Sequence, residues 1–222
     1  MAKIFYPSCK IKADFPEESE KVRLYLEKRH GVTTAGCCRP HHVHLTNADH
    51  AVVICNNCAA IVEESSMAGA FTYVWELINR DEDFPFPDYG GARMTVQDCW
   101  AAVERRDMQE AIRALLRKMN INIIEQEENF DQTRFHGLPL LQPCVPGNAK
   151  LAPRRYENGK SPMFTPMSKE QQRIYLMNHA EKLPAKKAVC SCKYCRDGIQ
   201  EGGKEGVHIL QLLFPKRTGG IT

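Results

Sequence analysis

Two segments far apart in the chain have the same build, and that repetition limits the folds open to it. "ADHAVVICNNCAAIVEES" (48–65) and "AKKAVCSCKYCRDGIQEG" (185–202) each read as a short buried strand, a Cys-x-x-Cys and the start of a helix. Matching pieces precede them. "KIFYPSCK" (3–10) and "RMTVQDCW" (93–100) are short β-type runs that reach a cysteine, Cys9 or Cys99. The first is followed by "EESEKVRLYLEKRHG", acidic early and basic late as a helix dipole favours. The second is followed by "DMQEAIRALLRKMN", with Met108, Ile112, Leu115, Leu116 and Met119 at helical spacing. Second β-type stretches come next, "GVTTAGCC" and "INIIEQEEN", and each half closes on a strand that turns into a helix, "AFTYVWELI" (70–78) and "GVHILQLLF" (206–214).

Strands alternating with helices predict an α/β fold of two pseudo-repeated modules, each a small, mostly parallel sheet flanked by helices. The turn-rich "RDEDFPFPDYGG" (80–91) puts the boundary near residue 90, giving modules over 1–90 and 91–222. The Pro-, Gly- and polar-rich stretch 145–170 reads as an extended, mobile loop, and "SKEQQRIYLMNHAEKL" after it as a helix capped by Ser168.

The ten cysteines divide evenly, Cys9, Cys37, Cys38, Cys55 and Cys58 against Cys99, Cys144, Cys190, Cys192 and Cys195. The start "MAKIFYPSCK" carries no secretory signal, so the expected location is cytoplasmic, where clustered thiols bind metal or do redox chemistry sooner than they form disulfides. A net charge of +3 gives no case for nucleic acid or a membrane surface, and no apolar run is long enough to insert in a bilayer. No phosphate loop or dinucleotide fingerprint is present, so a flavin or nicotinamide would have to sit on a partner.

A Cys-x-x-Cys at a strand-to-helix turn points two thiolates at one ion while the first helical N–H groups stabilise their charge. Zinc closes with four ligands, so the five sulfurs of each half suit a polynuclear iron–sulfur centre better. His41, His42, His44 and His50 keep zinc open for the first module, and otherwise serve as surface groups or as hydrogen-bonding neighbours of cluster sulfurs. A metal-free dithiol at Cys55 and Cys58 is a third reading, which leaves Cys9, Cys37 and Cys38 without a role.

A strand ending in Cys, a Cys-Cys pair and a Cys-x-x-Cys, all given twice, resembles the cysteine-rich "CCG" domain of heterodisulfide reductase catalytic subunits. The likeness spans roughly 3–78 and 93–214. Residue by residue, Cys9, Cys37, Cys38, Cys55 and Cys58 match the first motif, and Cys99, Cys144, Cys192 and Cys195 match the second. The resemblance implies one or two noncubane [4Fe–4S] clusters on these cysteines, fed by a ferredoxin-like or flavoprotein subunit and delivering electrons to a disulfide or other small substrate. The alternatives are a non-catalytic zinc protein and a metal-free thiol–disulfide sensor. Three departures stand out. Only sixteen residues separate Cys38 from Cys55, Arg39 replaces the Gly after the pair, and the second pair has become Pro143–Cys144. Cys190, on the same strand face as Cys192, is either the replacement metal ligand or a buried strand residue.

Overall fold

The computed structural model describes residues 1–158 and 164–216. The first module runs β1 (Ala2–Tyr6), α1 (Cys9–Asp14), α2 (Pro16–His30), β2 (Thr33–Thr34), α3 (Cys38–His41), β3 (Asp49–Val53), α4 (Asn56–Ser65), β4 (Ala70–Tyr73) and α5 (Val74–Arg80). The second runs β5 (Ala92–Gln97), α6 (Arg106–Lys118), β6 (Ile121–Ile124), α7 (Pro146–Leu151), α8 (Lys169–Lys182), β7 (Lys187–Cys190), α9 (Lys193–Glu201), β8 (Glu205–His208) and α10 (Ile209–Leu213). The sequence explains the main elements directly. In α2, Pro16 occupies the first turn with Glu17 and Glu18, while Lys28, Arg29 and His30 fill the last turn before Gly31, which takes the left-handed conformation (φ 62°). In α6 the apolar stripe Met108, Ala111, Ile112, Leu115 and Leu116 is buried.

Both sheets are wholly parallel and have the same order, β2-β1-β3-β4 and β6-β5-β7-β8. In such a sheet the chain winds outward in both directions from the central pair, and a crevice opens at the carboxyl ends of those two strands. That crevice lies after β1 and β3 in one module, after β5 and β7 in the other. Tyr6 pairs with Val53, and Gln97 with Cys190. Counting on from these pairs makes Cys55 and Cys58 the counterparts of Cys192 and Cys195. The same count matches Ser8 to Cys99 and Cys9 to Trp100.

The modules are held face to face. α5 of the first packs on α6 of the second, and α10 approaches α2. Buried apolar side chains of both sheets form one continuous cluster that includes Trp75 and Trp100. Phe15 lies 4.9 Å from the ring of His208, and Tyr25, Phe84 and Phe214 make an aromatic seam. The connection 80–91 contributes Phe84 to this seam, and Tyr89 Oη donates to the Leu212 carbonyl (2.9 Å).

The stretch expected to be an extended loop is instead helical over much of its length. After α7, Arg154–Asn158 forms a π-helical turn, and this strap docks on α4 of the other module. Arg154 and Arg155 N–H groups donate to Glu64 (2.7 and 3.1 Å), Ser65 Oγ to the Leu151 carbonyl (2.6 Å), and Tyr156 Oη to Asn57 Oδ1 (2.8 Å). A chain rich in Pro and Gly is ordered here by a neighbouring surface, which local propensity does not report. Residues 159–163 of the expected loop lie outside the described residues. α8 begins as its sequence predicts, with a capping box between Ser168 and Gln171. Among the described residues no helix is long and apolar enough to cross a membrane.

Candidate metal centres

In the second module Cys99 leaves the end of β5, and Cys192 and Cys195 open α9. The fourth member of the group is His136, from the long connection between β6 and α7. The ligand atoms of Cys99, His136, Cys192 and Cys195 all lie within 4.8 Å of one another. His136 Nδ1 is 3.0 Å from Cys99 Sγ and 3.6 Å from Cys192 Sγ. A tetrahedral zinc ion with bonds of about 2.0–2.3 Å needs ligand atoms roughly 3.5–3.8 Å apart. The set is therefore sized for a single ion, and three sulfurs with one imidazole suit a borderline-soft one.

The placement of His136 follows from its neighbours. Gly137 adopts φ 60°, and a Cβ there would run into the Tyr194 carbonyl oxygen in the Cys192–Cys195 turn. The backbone can thus lie directly on that turn only because residue 137 is glycine. Phe135 stacks on His179 at 3.8 Å, and its carbonyl accepts from the Trp100 N–H (2.9 Å). Asp98, beside Cys99, is fixed by Arg113, whose guanidinium donates to both carboxylate oxygens (2.8 and 3.3 Å). Burial opposes ionisation of Cys99. Hydrogen bonds from Cys192, Cys195 and Asn56 and the Ala101 N–H outweigh it, so the thiol falls well below its ordinary pKa. Cys195 moves the other way, raised by burial and by donating to those sulfurs.

In the first module the same division recurs. The Cys58 thiol donates to Cys38 and Cys55, which pushes Cys58 up. The bond from Cys58, against burial, lowers Cys55 to about 7, helped by the Cys58 N–H and Ser8. Cys38 is lowered for the same leading reason. Cys37 is raised, chiefly by burial, and lies within hydrogen-bonding reach of Cys9 and Cys38. These five thiols form a run of neighbours, Cys9–Cys37–Cys38–Cys58–Cys55, and among the described residues only the second-module set has its ligand atoms all within 4.8 Å of one another. Ser8 occupies the strand position that Cys99 holds in the second module, and Cys9 follows it into α1, where it is exposed.

A cavity of about 410 Å³ joins the two halves. Cys9, Cys37, Cys38, Cys55 and Cys58 line it from one side, and His136, Cys144 and Cys192 from the other. Tyr156 and Phe164 add an aromatic wall, and Arg39 enters from α3 with Nη2 donating to Asn148 Oδ1 (2.7 Å). Asn56 Nδ2, a buried donor in the cavity wall, makes no well-formed hydrogen bond beyond its approach to the Cys99 sulfur. An unsatisfied buried donor costs about 1–3 kcal/mol, and a sulfur-rich anionic occupant supplies an acceptor of the kind missing. The donor set and the thiols therefore fit a metal or cluster.

Of the sequence-predicted ligands, Cys9, Cys37, Cys38, Cys55, Cys58, Cys99, Cys144, Cys192 and Cys195 all reach the cavity or the four-ligand group. Cys190 does not. It is fully buried in β7 at the position of Val53, and burial raises its thiol well above the usual value, which matches the buried-strand reading. His42 Nδ1 bonds the Cys38 carbonyl (3.0 Å) and His50 Nε2 bonds Thr72 (2.7 Å), neither belongs to the converging ligand group, and His41 and His44 are exposed. Sequence reasoning missed His136. Its only signal was topological, a histidine in the connection after the module's second strand, where the first module has Cys37 and Cys38. Compared with protein-family models, curated proteins and solved structures, the chain has no match.

Proposed function

We propose that the chain is a metal-dependent redox subunit. Its first module would hold an iron–sulfur cluster on Cys9, Cys37, Cys38, Cys55 and Cys58, and its second a single zinc ion on Cys99, His136, Cys192 and Cys195. The observation that carries this reading is the cavity walled by thiols of both modules. A solely structural metal protein has no need of such a space beside its ligands. The run of five neighbouring first-module sulfurs favours a polynuclear occupant, and the tight second-module set favours one ion. When bound, the cluster supplies one-electron chemistry, which suits reduction of a disulfide or other small substrate to its thiols by two electrons and two protons. The electrons come from a ferredoxin-like or flavoprotein partner. The chain's own contribution is to bind and enclose. Helix α4 presents its first N–H groups to Cys55, the 146–158 strap roofs the cavity, and Tyr156 and Phe164 exclude water from its inner wall.

Iron, acid-labile sulfide and zinc per chain, measured on anaerobically purified protein, test the reading. About four irons, four sulfides and one zinc are expected. Zinc without sulfide would replace it with a non-catalytic zinc protein, a reading that the geometry of the second-module set favours on its own. About eight irons with no zinc would mean that both modules carry clusters.

A further inference from the structure

The cavity between the modules is one-sided in charge. Lys10, Arg39 and Lys193 line it, and among the described residues no aspartate or glutamate does. The chain as a whole carries 27 acidic residues against 30 lysines and arginines, so this imbalance belongs to the cavity and not to the composition. Lys193 is neutralised from outside the lining, its ammonium paired with Asp14 (2.7 Å) and with Asp197. Lys10 and Arg39 are exposed, and among the described residues neither forms an ion pair with a carboxylate. Arg39 instead donates one N–H to a neutral acceptor, Asn148 Oδ1 (2.7 Å), and its guanidinium lies beside Gly147 of α7. The side chain thus crosses from the Cys37–Cys38 turn of one module to the strap of the other.

A guanidinium has five N–H donors in a planar fork that matches an oxyanion, and the bond to Asn148 leaves the others available. A cleft lined by one sign of charge also raises the local concentration of the opposite ion. Away from this charged pair, Tyr156, only 4% exposed, and Phe164 offer an apolar wall to the rest of a bound molecule. We infer that the cavity selects small disulfides that carry an oxyanionic group. Arg39 binds that group at the opening, Lys10 adds attraction, and the S–S bond lies toward the thiol-lined wall. This inference rests on the reading of the cavity as the site of disulfide reduction.

The test uses the full chain, purified anaerobically with its metals, and reduced methyl viologen as electron donor. Each disulfide takes two electrons from two viologen radicals and two protons from water, and its S–S bond opens to two thiols. Three short disulfides differ mainly in charge: 3,3′-dithiodipropionate, a dianion; bis(2-hydroxyethyl) disulfide, neutral; and cystamine, a dication. Wild type is expected to give kcat/KM in that order, with the advantage of the dianion shrinking as salt is raised. Arg39→Gln should lower the dianion-to-neutral ratio roughly 10–100-fold, the usual loss for a hydrogen bond to a charged group, and Arg39→Lys should recover part of it. Equal rates for the three disulfides in wild type would overturn the inference and leave the reductase reading standing. So would an Arg39→Gln variant that slows all three alike, since that marks a tie to the strap and not a substrate contact. Reduction of none of them would overturn the reductase reading. Calorimetry with suberate, which has CH2–CH2 in place of the S–S bond of the dianion, then decides the anion site by itself. Binding that weakens roughly 10–100-fold in Arg39→Gln would support it, and no binding to wild type would overturn it.

Discussion

Replacing Arg113 with leucine takes the cation out of a buried network next to Cys99. Arg113 is 1% exposed, and its guanidinium serves Asp98 (2.8 and 3.3 Å) and Glu125 (2.5 and 2.9 Å) while lying 3.7 Å from the centre of the Phe130 ring. Asp98 is 5% exposed and otherwise accepts from the Phe130 N–H (2.9 Å). Breaking a buried pair on one side costs about 3–5 kcal/mol, because the remaining charge stays buried without its partner. Glu125, with a side chain 42% exposed, adds less than about 1 kcal/mol. With an unfolding entropy near 2.1 cal/mol/K per residue over 222 residues, a loss of about 4 kcal/mol lowers Tm by roughly 8–9 °C. Thermal and urea unfolding of metal-free protein would measure it, with Asp98→Asn added to close a double-mutant cycle. The paired variant is expected to recover about 2–3 kcal/mol, since replacing both charges removes the stranded carboxylate. A single-variant loss below about 1 kcal/mol, or no recovery in the pair, would refute the claim that this network fixes the Cys99 turn.

Two further outcomes follow from the same geometry. His179 and His208 are buried, which lowers their pKa values to about 4 and about 3. Both are neutral when folded, while the unfolded chain takes up protons near pH 6.5, so stability is full above that value and falls as pH drops through this window toward the folded values. At pH 5 each histidine costs about 2 kcal/mol relative to pH 7.5, and His208→Phe should remove about half of the combined loss in urea midpoints. A loss of equal size in that variant would show that His208 is not the titrating group. Gly137→Ala forces an L-residue into φ 60° and a methyl into the Tyr194 carbonyl, which should destabilise the chain by about 1–3 kcal/mol and, on the metal reading, weaken metal uptake by displacing His136. A variant equal to wild type in both respects would mean that this close approach does not position the histidine.

Much of the fold was legible because the repeated elements are locally consistent. The runs at 49–53 and 187–190 are apolar and short, both are followed by helical periodicity, and parallel pairing with flanking helices is the arrangement that buries such strands on both faces. The cysteines nearest the sheets were legible for the same reason, since strand ends place them at the crevice. His136 was not, because it stands in a long connection whose course is set by Gly137 lying on the other side of the site, a contact without a local pattern. The strap at 146–158 escaped for a similar reason. Its order comes from Glu64, Ser65 and Asn57 in the opposite module, roughly a hundred residues away in sequence.

The two modules also show how a repeat diverges without losing its frame. The strand pairings Tyr6–Val53 and Gln97–Cys190 hold both Cys-x-x-Cys turns in equivalent places, so the difference between the two sites comes from the residues around those turns. In the first module the strand-end position is a serine in a left-handed conformation (φ 60°), which turns the chain so that the cysteine after it emerges on the exposed start of α1. In the second module that position is Cys99 itself, buried against Cys192, with His136 closing the set. One residue of offset thus separates a run of five thiols lining a cavity from four ligands converging on a point. The same backbone plan thus presents two different arrangements of ligand-type side chains to one shared space.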